Sequence, residues 1–162
     1  MAELTNLETK LGEVIGLAMA AQAATEKVEK LTDDRQLKKA LQTMRKEAAK
    51  AEKDGTALAA TFNGKKSKIM QEARSVKTKG ATMMKTYLER GSDDLDGFEF
   101  LTMAEAGEVG HWAVLEQLNK QAKHPGVRTL VGEQLPIQRR HFKEVTAASL
   151  QLAAKEDANA AA

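Results

Sequence analysis

Two segments of this chain place polar, ligand-capable side chains where a helical stripe would otherwise be apolar. Glu108 and His111 occur in one segment, and Gln138 and His141 occur in the other. Both stripes repeat with alternating spacings of three and four residues, which keeps their members on one face of a helix. Counting outward from the turn at Pro125 brings Glu108 level with His141 and His111 level with Gln138. We therefore expect these four side chains to form one interior cluster.

Such a cluster could bind one divalent ion, either iron or zinc. Glu108, His111 and His141 would be the ligands, and Gln138 would hydrogen-bond behind them. The alternative is a metal-free cluster, in which Glu–His and Gln–His pairs satisfy one another and fix the helix register. The chain has no G-x-S-x-G nucleophile elbow and no glycine-rich phosphate loop after a strand. Catalysis and organic cofactors are therefore not expected.

The elements that position these residues are helices. The chain has 162 residues and two prolines, and it is rich in residues that lose little side-chain entropy in a helix. We expect one all-α domain spanning residues 1–162. The apolar stripes predict helices at about 4–31, 35–62, 67–90, 98–122 and 127–155, with a frayed tail at 157–162. The predicted architecture is an up-and-down four-helix bundle with a shorter extra helix between two hairpins.

Composition limits the chemistry and the location. The chain has no cysteine, which excludes disulfides, thiolate metal sites and cysteine nucleophiles. No apolar run approaches the roughly 20 residues of a membrane span. The N-terminal sequence MAELTNLETK lacks the basic and apolar regions of a signal peptide. We expect a cytoplasmic protein with no membrane association.

Charge is distributed unevenly along the chain. Residues 33–80 carry 13 basic and 6 acidic side chains, whereas residues 86–119 carry 1 basic and 8 acidic ones. This asymmetry could pair two subunits, so we expect a homodimer, although solvated helix faces would give the same pattern. The basic segment 65–79 could also contact nucleic acid or another anionic surface. Its basic residues are Lys65, Lys66, Lys68, Arg74, Lys77 and Lys79, with no interleaved aromatic side chain.

The segments EAGEVGHWAVLEQL and LVGEQLPIQRRHFKEV, set in two hairpins with a shorter helix between them, carry a family resemblance. The chain resembles the ferritin-like superfamily, and in particular the bacterial stress-associated ferritin-like proteins of the YciE/YciF type. The resemblance covers most of the chain. It implies a ferritin-like bundle, and Glu108-x-x-His111 has the spacing with which such bundles hold iron or manganese.

The chain departs from the iron-handling members of that superfamily, which draw ligands from all four long helices. Ala18 and Ala21 occupy the corresponding level of the first helix, and Lys50 stands three residues after Glu47, where histidine would be expected. Gln138 looks like a lost glutamate. We therefore expect a non-catalytic, stress-associated bundle protein with a degenerate di-metal site. The alternatives are mononuclear metal binding and nucleic-acid binding.

Overall fold

The computed structural model describes residues 3–161, which contain five helices and no strand. The helices are α1 (Asn6–Glu29), α2 (Arg35–Ala59), α3 (Lys66–Tyr87), α4 (Asp94–Ala122) and α5 (Pro125–Ala153). The predicted all-α class is therefore confirmed. Residues 1, 2 and 162, the last of which belongs to the predicted frayed tail, lie outside the described residues. Within residues 3–161, no helix combines the length and the hydropathy needed to cross a lipid bilayer.

Reciprocal capping boxes determine where two of the helices begin. Thr5 accepts a hydrogen bond from the backbone N–H of Glu8, and the Glu8 carboxylate accepts one from the Thr5 backbone. Asp93 and Asp96 form the same reciprocal box before α4. The box satisfies N–H groups that the helix itself leaves unpaired. As a result α4 begins at position 94, earlier than the predicted start near position 98.

Four pairs of helices pack as antiparallel neighbours, namely α1 with α2 and with α4, and α5 with α4 and with α2. The α1–α2 hairpin is held by Gln42, whose Nε2 donates to Oε1 of Glu29 over 2.6 Å. In the α4–α5 hairpin, the hydroxyl oxygens of Thr102 and Ser149 lie 3.1 Å apart. α4 also runs antiparallel to α1, because its start at Gly97 lies against the end of α1.

α3 is the exception, because it lies parallel to α1 and contacts it closely. Lys65, just before α3, pairs with Glu8 at the start of α1, with 2.8 Å between Nζ and Oε2. Farther along, a Cβ placed on Gly16 would collide with the carbonyl oxygen of Ala73. The absence of a side chain at Gly16 therefore allows the two backbones to approach each other.

The buried apolar side chains form two clusters. Along α4, Phe98 and Leu101 belong to one cluster, and Trp112 and Leu115 belong to the other. The first is shared with the end of α5 and the second with its beginning, as expected for an antiparallel pair. The stretch of α4 between Leu101 and Trp112 is where the predicted polar site would have to lie.

We expect Gly16→Ala to lower the free energy of unfolding by about 1–3 kcal/mol, because the added methyl overlaps the backbone of α3. Gly110→Ala is the control, since a Cβ there meets no atom within 4 Å. Replacing a glycine inside a helix by alanine should stabilise the protein by roughly 0.5–1 kcal/mol. Chemical denaturation measures both values. Equal effects of the two substitutions would contradict the close α1–α3 contact.

Candidate functional site

Five polar side chains are buried where α4 faces α5, and we call them the polar layer. They are Glu105 and Glu108 from α4, with Gln134, Gln138 and His141 from α5, and none is more than 3 % exposed. On each helix they continue the apolar face with spacings of three and four residues. Burial of so many polar groups is costly unless each has a partner, so their contacts indicate what the layer can do.

His141 lies between two carboxylates. Its Nε2 is 3.3 Å from Oε1 of Glu47 on α2, and its Nδ1 is 3.7 Å from Oε2 of Glu105. Burial alone would lower the pKa of His141, but the neighbouring carboxylates of Glu105 and Glu47 outweigh burial and raise the pKa. The geometry therefore favours an imidazolium that hydrogen-bonds to Glu47 through Nε2 and faces the Glu105 carboxylate through Nδ1.

Glu108 has no such partner. Its Oε2 is buried and makes no hydrogen bond. Burial, and then the negative charge of Glu105, raise the pKa of Glu108 well above its ordinary value. Glu108 is therefore a buried carboxyl group held toward its neutral form, next to a carboxylate that is compensated by His141.

Other atoms in and beside the polar layer are also unpaired. Oε1 of Gln134, Oε1 of Gln138 and Nε1 of Trp112 are buried and have no hydrogen-bond partner. Each such group costs on the order of 1–3 kcal/mol. Because native proteins leave few buried polar atoms unpaired, their concentration here marks this region as the candidate functional site.

The structure brings Glu108, Gln138 and His141 into the polar layer, as predicted, but not His111. The His111 side chain is 42 % exposed, and its Nδ1 lies 3.2 Å from Oε2 of Glu13 on α1. The predicted cluster is therefore wrong in this residue. The predicted register also shifts, because the residue of α4 that faces His141 is Glu105.

The error comes from the rotation of α4 about its axis. The prediction buried Ala104 and His111, whereas the structure buries Glu105 and Trp112. The predicted and the observed buried faces of α4 share Leu101, Glu108 and Leu115, so residue spacing alone cannot distinguish the two faces. The sequence does contain a signal, because turning Trp112 inward removes far more apolar area from water than turning His111 inward.

The residues present do not fit the predicted divalent ion. Across residues 3–161, no group of three or more His, Cys, Asp or Glu side chains is arranged to hold a metal ion. His111 is turned to Glu13, and both nitrogens of His141 face carboxylates. The proposed ligand set of Glu108, His111 and His141 is therefore not assembled.

The predicted basic surface on α3 is only partly exposed. Lys65 is half-buried in its ion pair with Glu8, whereas Lys66, Arg74, Lys77 and Lys79 are exposed. Lys68 is half-buried. Within the predicted segment 65–79, the exposed positive charge is therefore carried by four residues.

Comparisons with known proteins add no indication of family or activity. The chain matches no protein-family model, no curated protein and no solved structure. Its function is therefore inferred from the geometry of the polar layer and of the surfaces next to it.

Glu108 should make stability depend on pH. Because its pKa is higher in the folded chain than in the unfolded chain, its contribution is complete below pH 4.5 and is lost as pH rises toward the raised value. Glu108→Gln removes this loss. We expect the stability of the variant relative to wild type to increase as pH rises above 4.5, by up to about 1.4 kcal/mol per pH unit.

Urea denaturation at several pH values measures this difference. His141, whose contribution is present below 6.5 and lost as pH rises through its own raised pKa, is common to both proteins and largely cancels. Glu116→Gln is the matched control, because Glu116 is an exposed residue of the same helix. A pH-independent difference for Glu108→Gln would mean that Glu108 ionises normally in the folded protein.

Proposed function

We propose that this protein is a non-catalytic, stress-associated bundle protein of ferritin-like architecture, in which a metal centre has been reduced to the polar layer. The observation that carries the proposal is the position of His141 between Glu47 and Glu105. A histidine binds a metal through an unprotonated ring nitrogen. Both nitrogens of His141 face carboxylates that favour the protonated ring, so the buried imidazole serves as a hydrogen-bond donor rather than as a ligand.

The helix contacts support the bundle part of the proposal. α1, α2, α5 and α4 contact one another in a closed ring, and α3 packs mainly against α1. α2 and α4 are both antiparallel to α1, so they run in the same direction, and the chain between them must cross the length of the bundle. α3 supplies that crossover. One long crossover of this kind is found in ferritin-like bundles.

The first hairpin supports the loss of the metal centre. At the level of the polar layer, α1 contributes the buried alanines Ala18 and Ala21. On α2, Glu47 pairs with Arg140 as well as with His141. Lys50 forms an ion pair with Asp54 on the surface. A two-metal centre in such bundles takes carboxylates from all four helices, and these two helices offer one.

Metal content and stability together test the proposal. We expect protein purified without chelators to hold less than about a tenth of an ion per chain, with no increase after loading with ferrous iron or zinc. His141→Ala should lower the free energy of unfolding by about 3 kcal/mol or more, because it leaves two carboxylates without their partner. His111→Ala, at a half-exposed position outside the polar layer, should change it by no more than about 0.5 kcal/mol.

Elemental analysis and chemical denaturation give these values. Stoichiometric metal that is lost in both histidine variants would overturn the proposal and restore the mononuclear alternative. Retained stability in His141→Ala would show that His141 does not organise the polar layer.

A second candidate is an anionic-surface function for α3. The observation that favours it is the exposure of Lys66, Arg74, Lys77 and Lys79 on a helix that packs mainly against one neighbour. Clustered basic side chains bind phosphates through release of counterions.

The homodimer expected from the uneven distribution of charge stays a prediction.

Retention on immobilised duplex DNA tests this candidate. We expect retention at about 50 mM salt that is lost by about 200 mM, and that is weakened when Lys66, Lys77 and Lys79 are replaced by Gln. Lys38, Lys39 and Lys53, replaced by Gln on α2, provide a control with the same change in charge. Absence of retention at the lower salt concentration, or equal weakening in the two triple variants, would exclude a specific role for α3.

A further inference from the structure

An apolar groove of about 190 Å³ lies between α1, α3 and α4. Its walls are mostly apolar side chains, including Leu17 and Ala20 of α1, Met83 of α3, and Phe100 and Ala104 of α4. An apolar cavity of about 150 Å³ is enough for one benzene molecule. The groove therefore has room for a single ring with a short side arm.

Acidic groups of the polar layer also line this groove. Glu105 and Glu108 both reach it, and each is at least nine-tenths buried. Oε2 of Glu108 makes no hydrogen bond. Oε2 of Glu105 lies 3.7 Å from His141, beyond hydrogen-bond distance. The groove is thus apolar on its walls and is bordered by two carboxyl groups, each of which has one unpaired oxygen.

No cation of the protein is placed to pair with Glu108 from within the groove. Of the described residues that line it, none is a lysine or an arginine. His111 lies at the groove, but its Nδ1 is 3.2 Å from both Glu13 and Lys10. The α1 and α3 walls contribute no titratable side chain. The partner of Glu108 would therefore have to come from a ligand.

We propose that this groove binds a small aryl-alkyl primary amine, with its ring against the apolar walls and its ammonium group at Glu108. An ammonium group supplies three hydrogen-bond donors and a positive charge, which a buried carboxylate needs. An anionic ligand would be repelled by Glu105, and a neutral ligand would gain no charge attraction from Glu108. The ammonium stabilises the carboxylate form of Glu108, so its proton passes to solvent on binding.

Three probes of similar shape test the charge requirement by calorimetry at about pH 8, where the amine is still protonated. They are 2-phenylethylamine, the neutral 2-phenylethanol and the anionic 3-phenylpropanoate. We expect the amine to bind at least about tenfold more tightly than the alcohol, and the anion not to bind. Glu108→Gln, which keeps the shape of the side chain, should weaken amine binding at least about tenfold and change alcohol binding less than about threefold.

Two further variants complete the experiment. Glu116→Gln makes the same change of charge at an exposed position of α4 and should leave amine binding unaltered. Ala104→Leu fills the groove and should weaken both the amine and the alcohol. Equal affinity for amine and alcohol, an unchanged amine affinity in Glu108→Gln, or no binding of any probe would overturn the proposal. None of these outcomes depends on metal content. Elemental analysis therefore tests the metal-free bundle independently of ligand binding.

Discussion

The buried imidazole of His141 and its two carboxylates form the interaction on which the rest of the interior depends. Three helices meet there, because Glu47 belongs to α2, Glu105 to α4 and His141 to α5. Charges removed from water are tolerated when they are paired, and leaving one unpaired costs several kcal/mol. The heights of α2 and α4 relative to α5 are therefore restricted to the register that keeps both contacts.

That register also accounts for the distribution of apolar side chains on either side. The cluster containing Phe98 and Leu101 and the cluster containing Trp112 and Leu115 are both well buried. A sliding movement of α5 along α4 would break the contacts of His141 and misalign both clusters at once. The polar contacts of His141 and the burial of the two apolar clusters thus favour the same alignment of α5 along α4. The hydrophobic effect supplies most of the stabilisation.

Glu105 and Glu108 differ in their surroundings although they lie one helical turn apart. Glu105 faces the imidazole of His141, whereas Glu108 is left with burial and a neighbouring negative charge, which raise its pKa. The close packing of α3 on α1, which Gly16 permits, leaves the groove between these helices and α4. Glu108 therefore combines a raised pKa with a position at the edge of this groove.

The amino-acid sequence by itself determined the helices and most of the interior residues. The spacing of apolar residues predicted five helices, and it placed Glu108, Gln138 and His141 in the interior, where the structure has them. These features are local, because the period of a helix and the chemistry of its ends depend on residues only a few positions apart. Membership of a ferritin-like family stays a prediction.

The tertiary structure alone decided which side chains complete the site. Spacings of three and four residues fit a face with Ala104 and His111 as well as one with Glu105 and Trp112. The choice depends on which rotation of α4 buries more apolar surface against α1 and α5. The contact of Glu47 with His141 also joins residues 94 positions apart in the chain. Such contacts depend on how the helices pack, and the pattern within any one helix does not contain that information.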